Sequence, residues 1–335
     1  MSTQNPVHVI AEAGCNHNGD LGAAKRMADA CLTAGGNSFK VQLTYPDAFL
    51  LPVLEDGVSV NPGRVSRGEI TLSEKQHLEL AAYCKEIGLP FSASAFDEVG
   101  VDMLVEVGAP YVKISSGDLT YTRLLKHAAS SGLKVILSTG MAELREIEQA
   151  LDVLVQNGAK DPVLMHCVSV YPCPVERANL DMIDVLGTEF GVPVGLSDHS
   201  TSDIPVIAAV AKGATWIEKH FTLDRTQQGV DHALSLEPED LSRLVTAVRI
   251  TEAACAPHDQ KIGEEEQCVR QRARRGLYAA RELEEGRVLT SDDILTVRPE
   301  SDLAPADVER LLGSQLKSPL KRYEAFTADD MNKKV

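Results

Sequence analysis

The chain has 335 residues, of which 44% are hydrophobic and 24% charged, a composition typical of globular proteins. Its 33 basic and 49 acidic residues give a formal net charge of −16, which disfavours binding to nucleic acid and to anionic membranes. No apolar segment approaches the roughly 20 residues of a membrane helix, and the N-terminus lacks a signal-peptide pattern. The seven cysteines show no C-x-x-C spacing, which argues against a disulfide framework and a structural zinc site. We therefore expect a cytoplasmic protein without a nucleic-acid or membrane partner.

Short strand patterns alternate with amphipathic helical patterns along the first 255 residues. Gly35, Gly88 and Gly158 stand where three of the helices should end. Eight strands in strict alternation predict an α/β fold, a (β/α)8 TIM barrel over residues 1–255, with a doubly wound parallel sheet as the alternative. The strand candidates are VHVIAEAG, NSFKVQL, LPFSASAF, YVKISSGD, KVILSTG, PVLMHCVS, PVGLSDH and WIEKHF.

The segment Leu50–Ile70 interrupts this alternation. It has no hydrophobic period and is rich in turn-forming residues, so it predicts a long loop. Because it follows the second strand, we expect it on the C-terminal rim of the barrel. A loop in that position could serve as a lid over a site at the barrel mouth.

A second, smaller domain follows the barrel. Residues 256–274 are polar and charged, which predicts a linker, and residues 275–335 predict a small β-rich domain. Two similar phrases in this domain, EEGRVLTSDDI and KRYEAFTADDM, each predict a turn, a short apolar segment and a capped helical turn. A domain of about 60 residues is marginally stable unless it packs on a partner.

Nearly every predicted barrel strand ends in polar residues. In a barrel these ends surround one mouth, so their side chains are directed at a common site. Solvation alone does not require polar residues at almost every strand end. These residues are Glu12, Asn16, His17, Lys40, Gln42, Ser94, Lys113, Ser115, Ser116, Ser138, Thr139, His166, Ser169, Ser197, Asp198, His199, Glu218 and His220.

Two of these residues, Lys40 and Lys113, lie within otherwise apolar strands, where an unpaired ammonium group is costly to bury. With the serines that end neighbouring strands, they predict a pocket that binds phosphate or carboxylate groups in an otherwise acidic protein. The alternative is that each lysine pairs with a nearby carboxylate, such as Glu12 or Asp118.

His199 and His220 end the seventh and eighth strands, which are neighbours in a barrel. Their rings can therefore converge, and neutral imidazole is the commonest metal ligand in proteins. A site completed by water and substrate oxygens suits Mn²⁺ or Mg²⁺ better than structural zinc. The alternative is that Ser197, Asp198 and Ser200 cap the following helix, with His199 outside any site.

Two further segments belong to the predicted mouth. YPCP, residues 171–174, is a rigid turn from which Tyr171 projects. QGVDHALSLEP, residues 228–238, is a loop that ends in the proline opening the last helix of the barrel. Its Asp231 either caps a helix or binds substrate hydroxyl groups.

Eight motifs occur in the order IAEAGCNHNGD, FKVQ, KISSGDL, ILSTGM, HCVSVYP, GLSDHS, EKHFTLD and DHALSLEP. In this order they resemble the sialic-acid (N-acetylneuraminate) synthase family, which condenses phosphoenolpyruvate with an aminosugar. The later segment RGLYAARELEEGRVLTSDDILTVRPES resembles the antifreeze-like, or SAF, domain that follows the barrel in that family. The resemblance extends over essentially the whole chain.

The resemblance implies a metal-dependent, C–C bond-forming transferase. Phosphoenolpyruvate, water and N-acetylmannosamine or a related N-acylated aminosugar would give a nonulosonic acid and inorganic phosphate. Alternative sugars are the 2,4-diacetamido-2,4,6-trideoxyhexoses that give legionaminate or pseudaminate. The resemblance also implies a domain-swapped homodimer, in which the SAF domain of one subunit covers the barrel mouth of the other and gains stability from that contact.

The resemblance further implies roles for individual residues. Phosphoenolpyruvate would be held by Lys40, Ser94, Lys113, Ser116, Ser138, Ser169 and Ser197. The metal, Mn²⁺ or Mg²⁺, would be bound by His199 and His220. The open-chain sugar would be held by Gln42, Tyr171 and Asp231, and by Arg298 of the partner subunit. Glu12 would handle protons beside the metal, and it forms the predicted catalytic set with Lys40, Lys113, His199 and His220.

Three departures from the family pattern concern how the substrates are held. The family's STPFD is ASAFD here, so Ser94 stands where the family has threonine. Ser169 stands in place of an asparagine near Tyr171, and Glu300 in place of a glycine near Arg298. We expect these changes to affect the identity of the sugar more than the type of reaction.

Two other functions remain open from the residues alone. A Schiff-base aldolase on the same barrel would use Lys113 as nucleophile toward pyruvate, but it would leave His199 and His220 without a role. A binding protein without turnover would use the SAF-like domain to bind ice or a partner. The polar strand ends argue against that function, because a scaffold does not need them.

Overall fold

The computed structural model describes residues 6–45, 50–54, 57–257 and 262–330. The chain divides into two compact units, Met1–Ala256 and Pro257–Val335. In the described part of the chain, every helix is too short or too polar to cross a membrane.

The first unit is built on a closed barrel of eight parallel strands, in which each strand pairs with its neighbours in sequence and β8 pairs with β1. The predicted (β/α)8 barrel is therefore confirmed. Its strands are β1 (His8–Gly14), β2 (Ser38–Leu43), β3 (Phe91–Ala95), β4 (Tyr111–Ile114), β5 (Lys134–Ser138), β6 (Val163–Cys167), β7 (Val194–Asp198) and β8 (Trp216–His220).

Helices cover the outside of the barrel and begin and end at residues suited to those positions. The Asp20 side chain caps the first helix by accepting from Gly22 N, and Gly35 ends it with a φ of 83°. Ser73 and Gln76 form a capping box at the start of the third helix. The helices are α1 (Leu21–Ala34), α2 (Pro62–Ile70), α3 (Glu74–Glu86), α4 (Glu98–Glu106), α5 (Thr122–Ser130), α6 (Leu144–Gln156), α7 (Asp181–Phe190), α8 (Ile204–Ala211) and α9 (Pro238–Cys255).

The barrel interior has an apolar layer below a polar layer. Side chains of the strands that point inward recur at every second residue. The apolar layer, nearer the N-terminal ends of the strands, consists of Ile10, Tyr111, Ile136, Val163 and Met165, packed with Trp216. Two residues further along their strands lie Glu12, Lys113, Ser138, Cys167 and Glu218, which line a cavity. The same alternation that fills the barrel therefore also presents polar groups at its C-terminal end.

The prediction of a loop throughout Leu50–Ile70 is wrong, because helix α2 occupies Pro62–Ile70. Asn61 caps this helix by accepting from Gly63 N at 3.0 Å, and Pro62 lies in its first turn. Asparagine followed by proline is a helix-start pattern that a reading based on hydrophobic period overlooks. Residues 55–56 of the predicted loop lie outside the described residues.

The alternative in which Asp198 and Ser200 cap the next helix is also wrong, because that helix begins only at Ile204. Asp198 instead accepts hydrogen bonds from Ser200 N at 3.0 Å and from Lys219 Nζ at 2.8 Å. Both members of the Asp198–Lys219 ion pair are buried. The pair joins β7 to β8 just below the two strand-end histidines.

The second unit contains a two-stranded antiparallel sheet of β9 (Gly276–Ala279) and β10 (Ile294–Val297), with helices α10 (Glu264–Ala273) and α11 (Val308–Leu311). The two repeated phrases form similar turns. Thr290 N and Oγ1 donate to Asp293, and the same atoms of Thr327 donate to Asp330. The apolar core consists of Leu277, Ala279, Leu283, Leu289, Leu303, Leu311, Leu316, Leu320 and Phe326.

The segment predicted as a linker, residues 256–274, contains helix α10. Three glutamates begin this helix and two arginines end it, which matches the helix dipole. Arg270 and Arg274 lie 3.6 and 3.7 Å from Glu300 Oε1, so the helix is tied to the second unit. Residues 258–261 of the predicted linker lie outside the described residues.

Candidate active site

A cavity of about 370 Å³ opens at the C-terminal ends of the barrel strands. Active sites of TIM barrels lie at this end. Asp231 and Arg298 are not among its lining residues. The other residues to which the resemblance assigns a role do line it: Glu12, Lys40, Gln42, Ser94, Lys113, Ser116, Ser138, Ser169, Tyr171, Ser197, His199 and His220. Of the remaining polar strand ends, Ser115 and Glu218 also line it, whereas Asn16, His17, Thr139, His166 and Asp198 do not.

Four buried charges form one network at the floor of this cavity. Lys40 Nζ lies 2.6 Å from Glu12 Oε2 and 3.5 Å from Glu218 Oε2. Lys113 Nζ lies 2.7 Å from Glu218 Oε1. The alternative in which the lysines pair with carboxylates is thus correct, but the partner of Lys113 is Glu218, whereas Asp118 accepts from Ser115. The lysines also line the cavity, so pairing does not remove them from it.

The environments of the two carboxyl groups drive their pKa values apart. Burial raises the pKa of Glu12 to about 7, although Lys40 opposes the shift. Burial would also raise the pKa of Glu218, but Lys113 and Lys40 outweigh it and hold that pKa well below its usual range. Glu218 therefore stays ionised as a counter-ion, whereas Glu12 can gain or lose a proton near neutral pH.

Hydroxyl groups surround the network on several strands. Ser94 Oγ accepts from Lys40 at 2.9 Å, and Ser197 Oγ donates to Glu218 at 2.9 Å. Ser116 Oγ accepts from Gly140 N at 3.0 Å. A Cβ atom at Gly140 would lie 2.5 Å from Ser169 Oγ, so only glycine allows these groups to approach so closely. The result is a polar cradle beside two ammonium groups.

His199 and His220 converge at the mouth as the sequence predicted, with ring centroids 5.4 Å apart. Nδ1 of His199 lies 3.0 Å from the Val168 carbonyl oxygen. A carbonyl can only accept, so Nδ1 carries the proton and Nε2 is the ring nitrogen that faces other partners. The Tyr171 ring lies over His199 at a centroid distance of 4.0 Å, which covers one face of the imidazole.

The donor set at the mouth fits a divalent metal ion that takes further ligands from substrate or water. Burial lowers the pKa of His220, which favours the neutral imidazole, and its buried Nδ1 has no hydrogen-bond partner among the described residues. In the described part of the chain, no group of three or more His, Cys, Asp or Glu could hold a metal by itself. The residues His199 and His220 would therefore provide two ligands of an open site.

Asp231 and Arg298, the remaining predicted residues, are not lining residues. Asp231 is nevertheless close to the cavity, because its Oδ2 is 3.8 Å from Nδ1 of the lining residue His220. Arg298 belongs to the second unit and is exposed there. Its predicted contact with the sugar of a partner barrel stays a prediction. Nearby, Glu300 is engaged by Arg270 and Arg274 of its own unit.

Among the lining residues that received no role from the sequence are Arg67, Cys167 and Glu218. The sequence identifies Glu218 only as one of many polar residues at strand ends. Cys167 follows Met165 by two residues on β6, so strand alternation predicts its inward direction. Burial would raise the pKa of its thiol, but His199, Ser116 and Lys113 together outweigh this and lower it. Arg67 lies on helix α2, in the segment for which the sequence predicts a loop.

Comparison with known sequences decides the family. A sequence model of the NeuB family matches residues 30–260, more than half of the chain. The chain belongs to the NeuB family. A SAF-domain model matches residues 274–332. Both matches confirm the resemblance found in the motifs, and the second confirms that a SAF domain follows the barrel.

Individual relatives agree with this membership in the NeuB family. The N,N'-diacetyllegionaminic acid synthase of Legionella pneumophila is 34% identical over 92% of this chain and 90% of its own length. The N-acetylneuraminate-9-phosphate synthase of Drosophila melanogaster is 34% identical over 92% of each chain. The crystal structure of N-acetylneuraminic acid (sialic acid) synthetase from Leptospira borgpetersenii, in complex with citrate, is 37% identical with a TM-score of 0.72, over 79% of this chain and 90% of that one. This NeuB-family chain is therefore an enzyme of the sialic-acid synthase type.

Proposed function

We propose that this protein condenses phosphoenolpyruvate with N-acetylmannosamine or a related N-acylated aminosugar, and with water, to give a nonulosonic acid and inorganic phosphate. One observation carries the proposal: the buried network of Lys40, Glu12, Glu218 and Lys113 lies in the same cavity as His199 and His220. The names of the Legionella and Drosophila relatives, both synthases of such acids, support it.

The lysines and serines bind phosphoenolpyruvate in this proposal. The ammonium groups of Lys40 and Lys113 attract its phosphate and carboxylate, and the cradle around Gly140 donates hydrogen bonds. With Glu12 ionised the network is neutral overall. With Glu12 protonated it carries one net positive charge, because Lys40 and Lys113 then face Glu218 alone. The protonated form is therefore the one suited to an anionic substrate.

In the reaction, C3 of phosphoenolpyruvate attacks the aldehyde carbon of the open-chain sugar and forms the new C–C bond, while the protonated Glu12 donates its proton to the aldehyde oxygen. Water then adds to C2, and Glu12, now ionised, accepts one proton from it. The C2–O bond to phosphate breaks, and inorganic phosphate leaves with the second proton of the water. Glu12 is thereby protonated again, as at the start.

His199 and His220 would hold the divalent ion, Mn²⁺ or Mg²⁺, which when bound supplies Lewis-acid polarisation of the aldehyde. The chain orients these ligands by specific contacts. Val168 fixes the tautomer of His199, Tyr171 covers its ring, and Asp231 stands behind His220. Gln42, Tyr171 and Asp231 would contact sugar hydroxyl groups beside the aldehyde.

Phosphate release tests the proposal directly. Release should require phosphoenolpyruvate, an aldose and a divalent metal together, and a panel of N-acetylmannosamine and the diacetamido-trideoxyhexoses should identify the sugar. EDTA should stop the reaction and Mn²⁺ should restore it. His199→Ala should lose turnover and weaken Mn²⁺ binding measured by calorimetry, with an unchanged circular dichroism spectrum. Activity that is indifferent to EDTA, or a fully active His199→Ala variant, would contradict the proposal.

We also propose a homodimer in which Arg298 of the SAF domain completes the sugar site of the other subunit. The SAF domain is small, and its packing on a partner would stabilise it. A cytoplasmic location is proposed as well. All seven cysteines are free thiols, five of them buried, as expected in a reducing compartment.

A further inference from the structure

Two buried residues of opposite charge directly precede the histidines at the cavity mouth. Asp198 is the last residue of β7 and precedes His199, and Lys219 precedes His220 on β8. Asp198 and Lys219 are register partners in the barrel. The residues before them on each strand line the cavity, so alternation places this pair on the outer face of the sheet. The mechanism above gives the pair no part.

The same outer face is apolar two residues earlier. Leu196 and Ile217 are also register partners, and both belong to the apolar core that the barrel shares with its helices. A second apolar pair in place of Asp198 and Lys219 would continue this packing and would avoid the cost of removing two charges from water. Packing therefore does not explain why charged residues occupy these two positions.

The ammonium group of Lys219 organises the turn that begins at His199. Its Nζ lies 2.8 Å from Asp198 Oδ2, 2.5 Å from the Ser200 carbonyl oxygen and 3.4 Å from that of Ser202. An ammonium group has three donors, so each of these acceptors can take one. The lysine side chain is only 1% exposed, so bulk water does not compete for them.

The carboxylate of Asp198 holds the same turn. Its Oδ1 accepts from Ser200 N at 3.0 Å, and its Oδ2 accepts from Ser200 Oγ at 2.9 Å. His199 thus lies between two residues that are bonded to each other and to Lys219. Its ring has a separate contact, from Nδ1 to the Val168 carbonyl oxygen at 3.0 Å. The backbone at His199 and the tautomer of its ring are therefore fixed by different groups.

We propose that Lys219 is a positioning residue for the divalent-metal site. It ties the turn that carries His199 to the strand that carries His220, and so it sets the separation of the two rings, whose centroids lie 5.4 Å apart. The inference rests on the proposed function, because only that proposal makes the two histidines metal ligands. Groups behind a metal ligand orient it, and their loss typically lowers metal affinity by about 10–100-fold.

Mn²⁺ binding to the full chain, without substrates, tests the inference. The EPR signal of free Mn²⁺ gives the Kd, and urea unfolding followed by Trp216 fluorescence gives the stability. Lys219→Met leaves Asp198 buried without its counter-ion. The double variant Asp198→Leu with Lys219→Met removes both charges and extends the apolar face of the two strands.

Lys212→Met is the matched control. Lys212 follows helix α8 and also binds carboxylates, with Nζ 2.9 Å from Asp181 and 2.6 Å from Asp184. It does not line the cavity. The control therefore removes a lysine with carboxylate partners but leaves the turn at His199 intact.

Lys219→Met and the double variant should both raise the Kd for Mn²⁺ by about tenfold or more, because His199 loses the contact that fixes its turn. The double variant should be more stable in urea than Lys219→Met, since it has no unpaired buried charge, yet it should bind Mn²⁺ no better. Lys212→Met should stay within about twofold of the wild-type Kd. A double variant that binds Mn²⁺ as tightly as the wild type would show that the pair only stabilises the barrel, and it overturns this inference alone. A wild type that binds no Mn²⁺ overturns the metal site of the proposed function and this inference with it.

Discussion

Lys113 and Glu218 form an ion pair of 2.7 Å inside the barrel, on strands β4 and β8 that are opposite in the closed sheet. Both side chains are less than 8% exposed. Glu218 also faces Lys40 at 3.5 Å, so one carboxylate serves two ammonium groups. The floor of the candidate site is therefore held together by interactions that span the barrel.

Removal of one partner of this pair should destabilise the barrel. Glu218→Gln leaves Lys113 buried without a counter-ion, which should lower the free energy of unfolding by about 3 kcal/mol. The double variant Lys113→Met with Glu218→Leu removes both charges and should recover most of that loss while remaining inactive. Urea unfolding followed by the fluorescence of Trp216, the single tryptophan, reports on the barrel. A Glu218→Gln variant as stable as the wild type would contradict the role of Glu218 as the counter-ion of Lys113.

The ion pair also argues against Schiff-base chemistry. A nucleophilic amine must be neutral, and although burial lowers the pKa of Lys113, the contact with Glu218 favours its ammonium form. Incubation with pyruvate and borohydride should therefore leave Lys113 unmodified by mass spectrometry of tryptic peptides. Covalent labelling of Lys113 at a stoichiometry near one per chain would revive the aldolase hypothesis.

A buried histidine should make stability depend on pH. His77 is fully buried, neither ring nitrogen has a hydrogen-bond partner among the described residues, and burial lowers its pKa from 6.5 to about 4. The unfolded chain therefore binds the extra proton first. The contribution of neutral His77 is fully present above pH 6.5 and is lost as the pH falls toward about 4.

Replacement of His77 by leucine should remove this dependence. Between those two pH values the wild type should lose about 3 kcal/mol more unfolding free energy than His77→Leu, from the size of the pKa shift. Trp216 fluorescence in urea at several pH values measures the difference. Equal pH slopes for the two proteins would show that His77 is not held neutral by burial.

Mixed dimers test whether Arg298 acts across subunits. Lys113→Met should inactivate the barrel that carries it, and Arg298→Ala should inactivate the site that its SAF domain covers. Random pairing of the two inactive variants should restore activity in about a quarter of all sites, because half of the dimers contain one complete site of two. Co-expression with two different tags isolates the mixed dimer. No recovery of activity in that species would mean that Arg298 acts within its own subunit or has no role.

The barrel was predictable because it follows from periodic patterns. The C-terminal ends of the strands placed Glu12, Lys113 and Ser138 at one mouth, and the closed order of strands placed His199 beside His220. These features follow from one repeated β–α unit, so the local sequence is sufficient to predict them. Ion pairs between side chains of different strands are harder to predict, because they depend on contacts between residues far apart in the chain.

The features that escaped prediction depend on such distant contacts. Lys113 pairs with a glutamate 105 residues away, and nothing near Lys113 in sequence selects Glu218 over Asp118 as its partner. A helix cap is the alternative role that the local pattern offers Asp198, but Lys219 on the neighbouring strand takes the same carboxylate. Arg67 is a separate case, since the Asn61–Pro62 helix start was present in the sequence and was overlooked.

The network of two lysines and two glutamates is neutral when both glutamates are ionised, so it attracts an anion only weakly until Glu12 is protonated. Phosphoenolpyruvate bound beside Glu12 would raise the pKa of that carboxyl group further above 7, so the substrate should arrive together with a proton from solvent. Binding enthalpies should then vary with the ionisation enthalpy of the buffer, and this variation should be absent in Glu12→Gln. The affinity for phosphoenolpyruvate would fall as the pH rises above about 7, because the same proton becomes harder to recruit from the medium.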